Sequence, residues 1–121
     1  MFKIQTNIAS IFFNVTNNNT LEQKAFLHSK GVLESLIKLL RGSEHETQKA
    51  ALSGILNFLI AGDLEMTQNG KEENEYKQDL IRLFGVGRIH DLEQDKKNKD
   101  VSTKAKKIMD LYFKDYVFGD Y

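Results

Sequence analysis

The sequence predicts an all-α fold, an array of short helical repeats, and three observations predict it. Proline is absent from all 121 residues, so no position breaks a helix by lacking its backbone N–H. Apolar residues recur near the 3.6-residue period of a helix over most of the chain. Landmark residues also recur at one offset: Gly31-Val32 lies 54 positions before Gly85-Val86, and Ala51, Ile55 and Leu59 lie 54 before Ala105, Met109 and Phe113. A genuine repeat holds one offset across several landmarks.

The elements run in order. Ile4, Ile8, Ile11, Phe12 and Val15 form a first helical stripe, which Asn17, Asn18 and Asn19 interrupt before Thr20, a residue placed to N-cap the next helix. Leu21 to Ser29 reads as a short helix with Ala25, Phe26 and Leu27 inward, and Gly31 ends it as a left-handed cap. Leu33, Leu36, Ile37, Leu39 and Leu40 form a strongly amphipathic run closed by Arg41-Gly42. Ser43 with Glu46 three residues on reads as a capping box opening a helix that runs to about Ala61. The stretch GDLEMTQNGKEEN from Gly62 to Asn74 is polar, holds the turn pair Asn69-Gly70 and lacks a periodic apolar face, which predicts a surface loop. Helix resumes from Glu75 to Phe84, turns at Gly85-Val86-Gly87, continues through Ile89 and Leu92, and ends with Val101 to Phe113.

Removing an insert of about twelve residues from that offset leaves roughly 42, the period of armadillo and HEAT-type helical repeats. Backwards, Leu52, Ile55 and Asn57 fall 43 positions after Ala9, Phe12 and Asn14. The expected organisation is one armadillo-like array: residues 1–18 the last helix of a partial repeat, 20–62 a full repeat, 63–74 a loop insertion, 75–115 a final repeat and 116–121 a tail. Each unit of such an array buries its face against its neighbours. The first helix, rich in Ile and Phe, therefore calls for a preceding portion of chain or for self-association through that helix.

Composition narrows the function classes. Seventeen basic residues balance seventeen acidic ones, so the overall basic excess of a nucleic-acid binder is missing and no nucleic acid is expected as partner. Cysteine is absent, which excludes disulfides, thiolate metal sites and cysteine nucleophiles and fits a reducing compartment. No segment approaches the roughly 20 apolar residues that span a bilayer, and the N-terminus does not read as a secretion signal, so no membrane is expected as partner. The N-x-T triplets at Asn14 and Asn18 are read as accidental. His28, His45 and His90 lack metal-ligand spacing and are read as surface residues, and Gly85-x-Gly87 lacks the third glycine and preceding strand of a phosphate cradle. No catalytic residue, metal site or cofactor is expected. Lys96, Lys97, Lys99, Lys104, Lys106 and Lys107, diluted by Asp95 and Asp100, read as a solvated helical face. The aromatic tail YFKDYVFGDY reads as a cap over the last repeat.

Several of these stretches carry a family resemblance. SIFFN (Ser10 to Asn14) resembles the W-x-x-x-N helix of importin-α, the armadillo-repeat adaptors that carry nuclear localisation signals. KAFLHSKGVLESLIKLL resembles that family's turn into its second helix, and LSGILNFLIAGD its penultimate third helix. The stretch from Phe84 to Phe113 resembles its closing signature, G-x-x-x-I-x-x-L-Q followed by A-x-x-I-x-x-x-Y-F. The resemblance runs from Ile8 to Phe113, about nine-tenths of the chain.

The resemblance implies a right-handed α-solenoid of armadillo repeats whose third helices line a concave surface. There a ladder of Asn side chains would hold an extended peptide by its backbone, because a carboxamide both donates and accepts. The matching positions make Ser10, Asn14, Ser53 and Asn57 the implied peptide groove. The other reading of Asn14 and Asn57 is a hydrogen bond to the neighbouring repeat. Two departures stand out: Ser10 replaces the family's Trp, whose face packs Lys and Arg stems, and Leu111 stands where the next Asn would fall. The implied partners are a nuclear export receptor with a Ran-type GTPase, and localisation-signal peptides, in cytoplasm and nucleus. Cargo capture needs earlier repeats and receptor binding a basic arm, neither present here, so the expectation is a C-terminal piece or a shortened paralogue of such an adaptor. The alternative is a general armadillo or HEAT-like scaffold with unrelated protein partners.

Overall fold

The computed structural model describes residues 20–42, 44–95 and 97–116. The first predicted stripe with Ser10 and Asn14, the proposed cap Ser43, Lys96 and the tail beyond Tyr116 lie outside the described residues. The regular elements among the described residues are all helices, without strands: α1 (Leu21–Ser29), α2 (Val32–Leu39), α3 (His45–Asn69), α4 (Glu75–Arg82), α5 (Gly85–Glu93) and α6 (Lys99–Tyr112). Helix α4 starts as far after α1 as Gly85 lies after Gly31, and α6 stands at the same interval from α3. The three-helix order thus repeats in space at the interval that the sequence holds, an all-α armadillo solenoid.

The caps set where helices begin. Thr20 accepts from the Gln23 N–H at 3.1 Å while the Thr20 N–H donates back to Gln23 Oε1 at 3.0 Å, a reciprocal capping box. Asn74 and Asn98 do the same one-sidedly for α4 and α6. For α3 the expected box is replaced: Glu44 is the N-cap and makes no side-chain cap bond. Instead Gln48 Nε2 donates to the Gly42 carbonyl at 2.6 Å, and Arg88 Nε donates to the Leu40 carbonyl at 2.8 Å, closing the end of α2 from two other elements.

One core runs through both repeats. Leu36, Ile37 and Leu40 of the first pack with Leu52, Ile55, Phe58 and Leu59, and the same core continues through Leu80, Ile89, Val101, Ala105 and Ile108. Helix α3 lies at the centre, against α1, α2, α4 and α6. Burial of these faces is what holds one unit to the next, the usual logic of a repeat array.

Three expectations are corrected. Residues 63–69 are not loop: α3 continues unbroken to Asn69 and stops at Gly70, whose φ of 68° makes it the left-handed cap, so the loop shrinks to 70–74. The stretch has no apolar period because its last turns are exposed on nearly every side, so nothing in the core demands one. In α1 the inward side is Leu21, Lys24, Leu27 and His28, while Ala25 and Phe26 are exposed, Phe26 by 60%. The helix is turned so that His28 Nε2 donates to Asp79 Oδ2 of α4, its ring edge meeting Tyr76 at 5.0 Å between centroids. His28 is accordingly an inter-repeat tie, not a plain surface residue. Lys24 buries its aliphatic stem in the same side, and loss of water around its ammonium lowers its pKa.

Candidate protein-binding surface

The third helices supply the surface that the sequence singles out. On α3, Ser53, Asn57, Ile60 and Leu64 are spaced i, i+4, i+7 and i+11, so they share one side of the helix. Ser53 and Asn57 are half-buried and Asn57 is held by an interaction within the protein, whereas Ile60 and Leu64 stand 46% and 42% exposed. Of the four expected groove residues the structure therefore brings Ser53 and Asn57 onto one stripe. Ser10 and Asn14 belong to the segment outside the described residues.

The neighbouring helix presents different chemistry. One repeat on from Ser53, Asn57 and Ile60 stand Lys107, Leu111 and Lys114, all exposed, Leu111 by 60%. The amide position is an isobutyl group, and two ammonium groups flank it. Lys106 is tied at 2.8 Å to Asp110 one turn on, which raises its pKa through that hydrogen bond and Asp110's charge. Lys97, Lys99 and Lys104 are exposed on the remaining sides of this helix region, as the charge pattern predicts.

A second feature, absent from the expected site residues, lies where α3 overhangs. Asp63 Oδ2 accepts from the Tyr112 hydroxyl at 2.9 Å, and its Oδ1 accepts from Asn74 Nδ2 at 3.1 Å. Burial, then the hydrogen bond to Asp63 and its negative charge, raise the Tyr112 phenol. Burial pushes Tyr76 up to about 12, helped by the charges of Glu75, Glu65 and Asp79. Tyr112 and Phe113 end α6, and the ring of Tyr116 stands edge-on to buried Phe113 at 6.1 Å, so the described start of the tail folds onto the last repeat. The sequence signal for this end was its aromatic density; the Asp63 tie was hidden inside a stretch that reads as loop.

Comparison with known proteins gives the same frame. The chain is 37% identical over 100 residues to importin subunit alpha-B of Dictyostelium discoideum, covering 83% of this chain and 19% of that protein. It is 28% identical over 97 residues to the probable importin subunit alpha-A of the same organism, covering 80% of this chain and 17% of the relative. The chain thus spans about a fifth of the length of the curated relatives it matches. No family model matches it. A three-helix order that recurs at one interval and similarity across four-fifths of the chain to two importin α subunits make this an importin-α-like stretch of armadillo repeats.

Proposed function

We propose that the chain is a protein-binding adaptor module of nuclear protein import, working through protein surfaces without chemistry of its own. The observation that carries the reading is the joint one: a constant repeat register in the helices, with Ser53 and Asn57 on one stripe, in a chain similar to importin α subunits. On this reading the half-groove at Ser53 and Asn57 contacts extended peptide backbone, and Ser10 and Asn14 continue it. Leu111, standing where the next amide would fall, ends the ladder of amides. The outer surface of the last repeat then contacts an export receptor in the presence of a Ran-type GTPase, and the protein shuttles between cytoplasm and nucleus.

The test is a pull-down of a nuclear export receptor with and without GTP-loaded Ran, alongside fluorescence titration of a lysine-rich localisation peptide against the parent, Asn57→Ala and Asn14→Ala. Receptor capture that needs GTP-loaded Ran supports the adaptor reading, and peptide affinity lost on either Asn substitution supports the groove. Leu111 in place of an amide favours the second reading, a general armadillo scaffold with unrelated protein partners; binding to neither receptor nor peptide would sink the first.

A further inference from the structure

We propose that the cleft between the overhanging end of α3 and the close of α6 docks a basic, apolar-anchored segment of a partner protein, independently of the stripe at Ser53 and Asn57. The cleft encloses about 350 Å³ and is lined by Asp63, Met66, Glu72, Glu73, Leu111 and Tyr112, with Lys77 at its side. It is the product of the insert: seven further residues of α3 reach about 10 Å beyond Gly62 at 1.5 Å per residue, and residues 70–74 return the chain to α4.

Part of its lining is apolar. Met66 is 36% exposed and Leu111 60%, and the ring of Tyr112 lies with them. Its rim is acidic on balance: Asp63, Glu72 and Glu73 stand against one lining ammonium, Lys77. Glu72 and Glu73 are exposed and neither makes an ion pair among the described residues. Asp63 is already committed to Tyr112 and Asn74. The Lys77 ammonium lies 5.7 Å from the centroid of the Phe113 ring. Carboxylates that a partner would desolvate need a cation opposite them, and the apolar side chains beside them need an apolar partner, so one segment must carry both. Nucleic acid and anionic lipid are repelled by the same rim. A bare metal ion would leave the apolar side chains uncovered, and no group of three metal-ligating side chains stands among the described residues.

The rim is also held in place before anything binds. Asn74 is 5% exposed; its Nδ2 donates to the Leu59 carbonyl at 2.8 Å as well as to Asp63, and its Oδ1 accepts from the Lys77 N–H at 3.1 Å. This is only compatible with glycine at 62, where a Cβ would run into the Asn74 carboxamide. A loop stitched to α3 in this way loses little freedom on docking, which favours affinity.

The experiment is fluorescence anisotropy of a fluorescein-labelled peptide of alternating Leu and Lys pairs, titrated with the full chain at low salt, with a Leu/Glu peptide of the same length as counter-probe. Saturable binding of the Lys peptide is expected, weakened about tenfold or more by Glu72→Lys with Glu73→Lys and, separately, by Leu111→Ser, while the control charge reversal Glu22→Lys on α1 stays within about twofold. Circular dichroism confirms that the variants, all at exposed positions, retain their helix. No saturable binding by the parent, equal binding of the Leu/Glu peptide, indifference to the charge reversals at Glu72 and Glu73 or to Leu111→Ser, or an equal loss on Glu22→Lys overturns the proposal. The pull-down of an export receptor can succeed or fail without changing any of these outcomes.

Discussion

Helices α3 and α6 hold the same place in consecutive repeats, and they agree on the inside while disagreeing on the outside. Ala51, Ile55 and Leu59 of α3 correspond, one repeat on, to Ala105, Met109 and Phe113, and every one of these is buried. On the outer side Asn57 corresponds to Leu111 and Ser53 to Lys107. At the borderline, fully buried Phe58 corresponds to half-buried Tyr112, whose hydroxyl reaches Asp63 on the neighbouring helix. The inner positions are constrained by volume, which both helices must fill alike. The outer ones answer only to what approaches them, so each repeat can specialise there without disturbing the array.

Phe58 against Tyr112 gives the strongest way to break this contrast. Phe58 is enclosed and stacks at a tilt on Tyr76 with centroids 5.1 Å apart. Phe58→Ala is expected to cost about 3–5 kcal/mol, the range for deleting a buried ring, read as a lowered urea midpoint or as outright unfolding. A loss under about 1 kcal/mol would mean that α3 is not the centre of the core.

The two inter-helix corners differ in the same instructive way. At the first, Gly31 itself takes the positive φ, 81°, and nothing would crowd a Cβ there. At the second, the positive φ of 62° falls on Phe84, and Gly85 serves space instead: a Cβ would lie 2.9 Å from Leu80 Cδ2 and 3.3 Å from Ile37 Cγ1. Gly85→Ala is therefore expected to cost about 1–3 kcal/mol through overpacking between α5, α4 and α2. Denaturant titration of Gly85→Ala together with Leu80→Ala, which removes the nearest methyl, sharpens it: a double variant less destabilised than the sum of the two places the crowding at Leu80, and strict additivity would refute it.

Tyr112→Phe isolates a hydroxyl. Losing its bond to Asp63 is expected to cost about 1 kcal/mol at neutral pH, and the pH dependence gives the sign. The phenol's folded pKa lies above its ordinary value of about 10, so its contribution is complete below that value and fades as pH rises through the folded one. Thermal melts of parent and variant should accordingly differ most below pH 10 and converge above it. Both should still lose stability on approaching pH 12, since Tyr76, pushed up to about 12, is retained in both. A gap that widens with alkalinity would contradict the Asp63 bond.

Much of the array is legible in the sequence because repeats write the same volume requirement twice. The constant offset, the caps at Thr20 and Gly31 and the core faces of α2 and α6 all come from spacing and residue type. What escapes is set by contacts that spacing does not encode. The overhang of α3 reads as loop because solvent-facing turns need no period, and the tie from Asp63 to Tyr112 joins residues far apart in the chain. The rotation of α1 is fixed by His28 meeting Asp79, again a pairing across repeats. Of the candidate groove, Ser53 and Asn57 fall on one stripe as helical arithmetic requires, while the acidic cleft is visible only once residues 63–74 are folded against α6.

Phe84 supplies the smallest and cleanest test. It is the non-glycine residue with positive φ among the described residues, and it stands 75% exposed, so its ring gains little from burial while its backbone bears a strain of about 1 kcal/mol or more. Glycine removes the strain but enlarges the freedom of the unfolded chain, offsetting part of the gain. Phe84→Gly is thus expected to stabilise by about 0.5 kcal/mol, a rise of a degree or two in Tm. The matching change at the first corner, Gly31→Ala, should move Tm the opposite way, because there it introduces the strain that Phe84 already carries. If Phe84→Gly instead lowers Tm, the exposed ring stabilises the fold by more than the strain costs, and the two corners are not the equivalents that their backbone angles make them.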